Sequence, residues 1–495
     1  MWIISIILLT AILGLLAYLD TKKPKNFPPG PKWYPFIGSA FHLYKMRKKF
    51  GSLSSTTREL AAKYGPVIGF RIGADYIVFV YGVKTLREFL HNDDFNGRPH
   101  TLFYRARTWG KRRGVLLTDS EFWQEQRRFI LRHLRDFGFG KRNMSDIVEE
   151  EALVMVERIK KKVEENGGAC VLRMDDFFAV HVLNTLWTMM TGNKYSPEDK
   201  EIKMLQTILT ELFANVHMDG ALFSHYPILR HIAPDFSGYN NYVNIHKNMW
   251  SFISKEIHKN KETFDPSDLR GLMDVYIQKL SSPNKGDSFS EGQLLAVCLD
   301  LFIAGSETTN KSMGFAYFYL LLYPEVQLKA QEEIDRVVGK HRPPNLFDRP
   351  QMPYLECVVL ECLRLFGGRA FSIPHRAMKD SYLNGYLIPK DTIMLGSLKC
   401  ALIDETVGWD QPEVFMPERF LKDGCINVPE HFMPFSCGKH KCMGETLARA
   451  NLFLFIAILL QRFTFTALPG HPSFTEFIDG VTPGPKPYKA LITLR

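Results

Sequence analysis

From Trp2 to Leu19 the side chains are nearly all apolar and none is charged. A run of roughly 18 such residues is just long enough to cross a bilayer core as a helix, so the pattern predicts a membrane anchor over residues 1–20. A cleaved signal peptide is disfavoured, because no basic segment precedes the run and no small-x-small site follows it before Asp20. Phe27-Pro28-Pro29-Gly30-Pro31 forbids helix and stiffens the chain, which makes residues 21–31 a spacer between the anchor and everything that follows. The pattern then changes. Pro66 to Tyr81, PVIGFRIGADYIVFVY, is rich in β-branched and aromatic residues around Gly-Ala-Asp and predicts a hairpin. From Glu121 to about Glu164, and again from Leu183 to Leu280, apolar residues recur at helical spacing with Gly and Pro at the breaks. Ser290, Glu291 and Gln293 resemble a capping box before LLAVCLDLFIAG, a run too apolar for a surface helix and therefore expected to cross the interior. Tyr386–Leu395 and Ala490–Leu494 return to strand composition. No internal repeat or low-complexity tract interrupts this plan, so residues 32–495 form one mainly α unit with a minor β region.

With 495 residues, 45% of them hydrophobic, the chain buries a large core and is no disordered scaffold. Its net charge of +9 is spread along the chain, which suits an acidic protein partner or an anionic membrane, and no nucleic-acid-binding motif is present. Lys22, Lys23 and Lys25 directly follow the anchor. By the positive-inside rule they leave the body of the protein in the cytosol, with the endoplasmic reticulum membrane as its address. The eight cysteines lack the spacing of a disulfide framework and are expected to be reduced.

One cysteine stands apart. Phe435-Ser436-Cys437-Gly438-Lys439-His440-Lys441-Cys442-Met443-Gly444 precedes a long helical segment, Glu445 to Leu460. A thiolate ligand to haem iron needs a rigid loop whose glycines let the backbone approach the porphyrin, and a helix start beyond Cys442 steadies the negative sulfur. The spacing FxxGxxxCxG resembles the haem-binding signature of the cytochrome P450 family, microsomal class. The resemblance covers the chain from the proline-rich linker through Tyr488. It implies the P450 fold, haem b with Cys442 as axial ligand to the iron, and Phe435 packed beside that ligand.

Other segments follow in the family's order. Glu361-Cys362-Leu363-Arg364 sets a carboxylate and a guanidinium on one helical face, and with Arg419 in Pro417-Glu418-Arg419-Phe420 it is similar to the family's buried Glu–Arg–Arg network, which is structural. Ala304-Gly305-Ser306-Glu307-Thr308-Thr309 resembles the oxygen-activating segment, in which hydroxyls loosen the helix near Gly305, Thr308 faces the iron and Glu307 supplies protons from solvent. Trp123 and Arg127, one helical turn apart, together with Arg98 and His375, match the family's clamp on the haem propionates. His440 stands where many microsomal members have arginine, a departure that makes that contact weaker or pH-dependent.

Gly97 to Gly140 is similar to an insect branch that includes the juvenile-hormone epoxidases, which act on farnesoic acid or methyl farnesoate. A sesquiterpenoid needs an elongated apolar pocket, and the matching segments nominate Leu102, Phe103, Leu301, Ala304, Ile373 and Val481 as its lining. Arg105, Arg107, Lys111, Arg112 and Arg113 form a basic stretch from which one cation is expected to pair with a free substrate carboxylate. The function implied is an NADPH-dependent monooxygenase. No nicotinamide- or flavin-binding fingerprint is present, so electrons come from NADPH-cytochrome P450 reductase, docked on a basic face around Arg132, Arg135, Lys439 and Lys441, with cytochrome b5 a candidate second donor. The alternatives are hydroxylation of steroids, fatty acids or xenobiotics, an isomerase or dehydratase that has no use for Glu307 and Thr308, and a non-enzymatic haem sensor or lipid carrier that consumes no NADPH.

Overall fold

The computed structural model describes residues 2–215, 220–366, 370–470, 477–478 and 480–495. The apolar N-terminus is one helix, α1 (Trp2–Asp20), with no buried side chain. Among the described residues it alone is long and apolar enough to cross a membrane. After the linker comes α2 (Ala40–Phe50). The expected hairpin forms from β1 (Val67–Ile72) and β2 (Asp75–Val80), antiparallel, with Val67 opposite Val80. All six residues of β1 are buried, which is why its sequence reads as a continuous apolar run and not as an alternation.

The helical stretch after Glu121 divides into α3 (Ser120–Asp136) and α4 (Arg142–Glu165). Between them Gly138 and Gly140 take φ of 105° and 71°, which L side chains resist and which breaks the helix. A short strand, β3 (Ala169–Arg173), then leads into α5 (Ala179–Thr191) and α6 (Lys200–Asn215). The central element is α7 (Glu291–Leu322), whose 32 residues run through the interior. Ser290 caps it, its hydroxyl accepting the Gln293 N–H at 3.1 Å. The other half of the capping box is diverted. The Gln293 side chain instead accepts the Gly114 N–H at 2.8 Å and donates to the Gly114 carbonyl at 3.1 Å.

Beyond α7 come α8 (Pro353–Phe366), β4 (His375–Arg376), β5 (Ile393–Gly396), α9 (Glu445–Arg462), β6 (Phe463–Ala467) and β7 (Lys489–Leu494). One sheet has the order β1-β2-β5-β4, with β2 and β5 parallel, and a second has the order β6-β7-β3. α7 packs on α5, α8 and α9, and α9 packs on α4. The functional cavity lies between α7 and the loop that leads into α9.

Candidate active site

The loop before α9 is shaped by its own backbone. The Cys442 N–H donates to the Phe435 carbonyl at 3.1 Å and closes the loop. Gly438 sits at φ 74°, where a Cβ would lie 2.0 Å from the Leu90 carbonyl oxygen, so only glycine lets the loop rest on the helix Val83–His91. The two cysteines of this loop part company. Cys442 lines the central cavity, whereas Cys437 lines a separate recess beside Arg87, His91 and Glu430. Burial raises the Cys437 thiol above its ordinary pKa, which keeps it protonated. Three residues past Cys442 the helix α9 begins, placing its positive end beside that sulfur.

Across the cavity runs α7, which contributes Leu301, Ala304, Gly305, Thr308 and Thr309. The helix is unbroken through these positions, so the loosening expected at Gly305 and Thr308 does not extend to a break. The Thr308 hydroxyl donates back to the Ala304 carbonyl at 2.7 Å, and a Cβ on Gly305 would meet the Leu186 side chain at 2.3 Å. Glu307 turns the other way. It is buried on the floor of a polar recess between α5, α6 and α7, lined also by Arg158, Asp176, Lys203, Thr210 and Glu211. There the Thr210 hydroxyl donates to both carboxylate oxygens at 3.3 Å, and the Lys311 ammonium stands 3.7 Å away. Burial raises the Glu307 carboxyl above the ordinary range, with Lys311 and Thr210 opposing.

The cavity roof depends on a residue that pattern alone passes over. Asp300, within the apolar run of α7, lines the cavity and is 1% exposed. It pairs with buried Arg107 and accepts the Val115 and Leu116 N–H groups at 2.7 and 2.9 Å. Gly114 makes this approach possible, since at its φ of 86° a Cβ would stand 2.1 Å from the Asp300 carboxylate. A carboxylate inside an apolar helix was the signal, for a buried charge requires a partner. Asp300→Ala is therefore expected to strand the Arg107 guanidinium, cost about 3–5 kcal/mol and free the loop that carries Val115 and Leu116. A thermal melt together with protease nicking between residues 105 and 118 checks this; a variant that melts and resists cleavage like the parent contradicts it.

The predicted cationic set converges on the other rim. Arg98 donates from Nη1 to the Ile373 and Pro374 carbonyls, each at 3.0 Å, and Arg127 donates to the Lys441 carbonyl at 2.8 Å. The Arg127 guanidinium lies 5.3 Å from the Trp123 ring, and Trp123 is 4.1 Å from His440. His375 donates from Nδ1 to the Phe95 carbonyl at 2.8 Å, and His440 Nε2 makes the same kind of bond to Asn96 at 2.9 Å. Burial and the Arg98 charge depress both imidazoles, His440 to about 3 and His375 well below its ordinary value, so each is a neutral donor. Outside the cavity, Glu361 and Arg364 are fully buried and joined by two bonds of 2.7 and 2.8 Å, and Arg419 adds a third at 3.0 Å.

Of the six nominated lining residues, Leu301, Ala304 and Ile373 face the cavity and Leu102, Phe103 and Val481 do not. Phe103 belongs to an aromatic cluster with Tyr104, Phe223 and Tyr242, Leu102 packs on the core, and the Val481 N–H is tied to Phe213. No cation between Arg105 and Arg113 lines the cavity either: Arg107 is committed to Asp300 and Arg112 to Asp119. Phe371, Val115 and Leu116 take the missing places.

These walls allow a test of whether a haem fits. The cavity lies between Cys442 on one side and Ala304, Gly305 and Thr308 of α7 on the other, with mainly apolar walls, the surroundings that a flat macrocycle held by a thiolate would take. Arg98, Arg127 and the Trp123 indole come together at the rim, a donor set suited to two propionates, while the single N–H of each neutral imidazole is spent on the Phe95 and Asn96 carbonyls and braces that rim. The residues present fit the haem-thiolate class. Comparison of the whole chain carries this further. Residues 28–492 match Cytochrome P450. The chain is 45% identical to "Probable cytochrome P450 303a1" of Drosophila melanogaster, over 100% of this chain and 98% of that one. It is 32% identical to "Farnesoate epoxidase" of Bombyx mori, over 97% of each, and 34% identical to "Cytochrome P450 2J3" of Rattus norvegicus, over 97% of this chain and 94% of that one. The chain belongs to the cytochrome P450 family. It is a monooxygenase whose cofactor is haem with a thiolate-ligated iron, supplied with electrons from NADPH through a reductase.

Proposed function

We propose that this monooxygenase, anchored by α1 in the endoplasmic reticulum membrane, epoxidises an uncharged sesquiterpenoid and prefers methyl farnesoate to farnesoic acid. The observation that carries the preference is the lining of the cavity. Its distal wall is built from Leu301, Ala304, Ile373, Phe371, Val115 and Leu116, and the acid set among them, Asp300, already holds its cation. A substrate carboxylate would meet no free positive charge there and would lose hydration without compensation. No cation from the 105–113 stretch lines the cavity to receive one. The reaction is supported by the 32% identical relative named farnesoate epoxidase; the name of the 45% identical relative specifies no substrate.

In this reading the Cys442 thiolate would hold the haem iron, with Phe435 packed beside it, while Arg98, Trp123 and Arg127 would take the propionates and His375 and His440 would brace that rim through the Phe95 and Asn96 carbonyls. When bound, the haem supplies reduction of dioxygen and transfer of one of its atoms to substrate. Glu307 and Thr308 are consecutive on α7 but open to different sides, the carboxyl to the polar recess and the hydroxyl to the cavity. Glu307 would hold a proton on the recess side and Thr308 would position one on the cavity side, and a relay from one to the other requires the Glu307 side chain to swing from Thr210 round the helix. The reductase docks on the exposed face of Arg132, Arg135, Lys439 and Lys441, with cytochrome b5 as a second donor. Lys439 and Lys441 are partly neutralised by Asp93 and Glu445 at 2.6 and 2.8 Å, so Arg132 and Arg135 contribute most of the attraction.

A reconstituted assay with reductase and NADPH, offering methyl farnesoate and farnesoic acid together, tests the proposal. Dominant ester epoxide is the expected product, with the ester favoured about tenfold or more, the equivalent of 1.4 kcal/mol. Dominant acid epoxide would overturn the preference. Oxidation of neither, by protein with intact haem-thiolate absorption, would overturn the sesquiterpenoid assignment and leave steroids, fatty acids and xenobiotics as the substrates to try.

A further inference from the structure

One helical turn beyond Glu307, α7 buries a second charged side chain, Lys311, which is 7% exposed. Lysine is almost never buried without a partner, and among the described residues its ion-pair partner is the Glu307 carboxylate at 3.7 Å. The spacing stacks the two side chains one above the other on the helix. The lysine stem is fitted to its neighbours as well. The buried strand Gly484–Pro485 packs on α7, and a Cβ on Gly484 would stand 3.1 Å from Lys311 Cδ and 3.2 Å from Cε, so any side chain at 484 would press on that stem.

The other cations around the polar recess are already taken. Arg158 and Lys203 pair with Glu198 at 2.6 and 2.7 Å, and Arg173 pairs with Asp175 at 2.7 Å. His181 accepts from Arg158 through Nε2 at 3.1 Å and gives its Nδ1 proton to Glu151 at 3.1 Å. Asp176 and Glu211 line the recess too, so Glu307 faces carboxylates across it and meets its positive charge on its own helix. Asn310 lines the same recess with a buried side-chain oxygen that no donor among the described residues reaches, a place suited to water beside the carboxyl. How strongly Lys311 holds Glu307 depends on the proton. A protonated carboxyl carries no net charge, and the 3.3 Å contacts from Thr210 are all that tie it to α6; a carboxylate is attracted by the full charge of the ammonium.

We propose that Lys311 is a positioning residue for proton delivery: it lets Glu307 leave the recess while that carboxyl carries its proton and, once the proton has gone, serves as the buried counter-ion that draws the carboxylate back. This deepens the reading of Glu307 as the proton holder on the recess side and rests on it. Each cycle moves one proton. The O–H bond of the carboxyl breaks, the carboxylate returns to Lys311, and a proton taken from recess water and replaced from solvent makes the O–H bond again. Without the ammonium the carboxylate would be left buried and unpaired.

The test uses full-length, haem-loaded protein as the parent, Lys311→Met, Glu307→Gln and the two substitutions combined. Lys311→Met keeps the stem beside Gly484 and strands no charge, because the Glu307 carboxyl then stays protonated; carbon-monoxide difference spectra verify the fold. Infrared spectra across a pH titration follow the carbonyl stretch of protonated carboxyls, and the part that disappears in Glu307→Gln belongs to Glu307. Burial and Asp176 raise that carboxyl while Lys311 lowers it, so its midpoint is expected to move up in Lys311→Met by about one pH unit or more, the scale of an opposite charge a few ångströms away. In turnover with methyl farnesoate, reductase and NADPH, Lys311→Met is expected to divert severalfold more electrons into hydrogen peroxide, and the combined variant no more than Glu307→Gln alone. An unmoved midpoint, or the same added loss in the Glu307→Gln background, overturns Lys311 as the counter-ion. Glu307→Gln with the parent's product per NADPH refutes the reading of Glu307 and the proposal with it. The infrared titration needs no substrate, so failure of the sesquiterpenoid assignment leaves it in force. Lys311→Gln repeats the comparison where Lys311→Met binds no haem, and loss of haem in both makes the lysine a core residue and overturns the proposal.

Discussion

Cys442→Ser is expected to give a protein that folds but lacks the haem-thiolate absorption of its carbon-monoxide complex and oxidises no substrate above background. The loop that holds the cysteine is closed by the backbone bond from residue 442 to the Phe435 carbonyl and seated by Gly438 on the Leu90 carbonyl, and neither feature needs the sulfur. What the substitution removes is the one cysteine facing the central cavity. A serine hydroxyl neither ionises in the same range nor donates charge to iron as a thiolate does. Cys437→Ser is the matched control. Its thiol lies in the neighbouring recess and is kept protonated by burial, so the control should keep both absorption and turnover. The same loss in both variants, or retention in both, would refute Cys442 as the ligand.

The second large effect is expected at Arg364. Its guanidinium is fully buried and makes bonds to both Glu361 oxygens, to the Leu402 carbonyl at 2.9 Å and to the Pro412 carbonyl at 2.7 Å. Trp409 covers it, with the ring centroid 5.1 Å from the guanidinium carbon. Arg364→Met keeps much of the volume but leaves Glu361 with only Arg419 and the Met416 N–H at 2.9 Å. Losing one partner of a buried ion pair costs about 3–5 kcal/mol, a large share of the roughly 5–15 kcal/mol that holds a typical protein folded. Denaturant unfolding should show a midpoint shift of that size, and expression should yield little haem-loaded protein. Arg364→Lys is expected to rescue only in part, because a point ammonium cannot reach carboxylate and carbonyls in the planar fork of a guanidinium. A midpoint unchanged in Arg364→Met would show that the network does not brace the core.

Local order was legible where it depends on neighbours in the chain. The hairpin at Val67–Val80, the cap at Ser290, the buried course of α7 and the helix after Cys442 all follow from propensity, period or a capping side chain acting over a few residues. The short strand β3 was missed, because five residues between two helices carry little pattern and their partner, β7, lies at the far end of the chain. Spacing also brought Trp123 with Arg127, and Glu361 with Arg364, onto single helical faces, where the structure has them in contact.

The sequence by itself determined the class of fold, the family, the cysteine loop and the residues able to surround a haem, since these are written in contiguous segments whose chemistry survives any arrangement of the rest. Tertiary structure alone decided which way those residues face. Glu307 and Thr308 are adjacent in the chain yet open to opposite sides of α7. Arg107 stands in a basic stretch suited to a substrate carboxylate, yet the fold brings Asp300, 193 positions away, against it. Leu102, Phe103 and Val481 are apolar enough to line the cavity but are occupied by the core, and Asp20 becomes part of the body only because Arg71 is folded onto it. The physical reason is common to all of these. A side chain's period and polarity specify that it needs a partner or a buried face, while which partner it meets is settled by packing between segments distant along the chain.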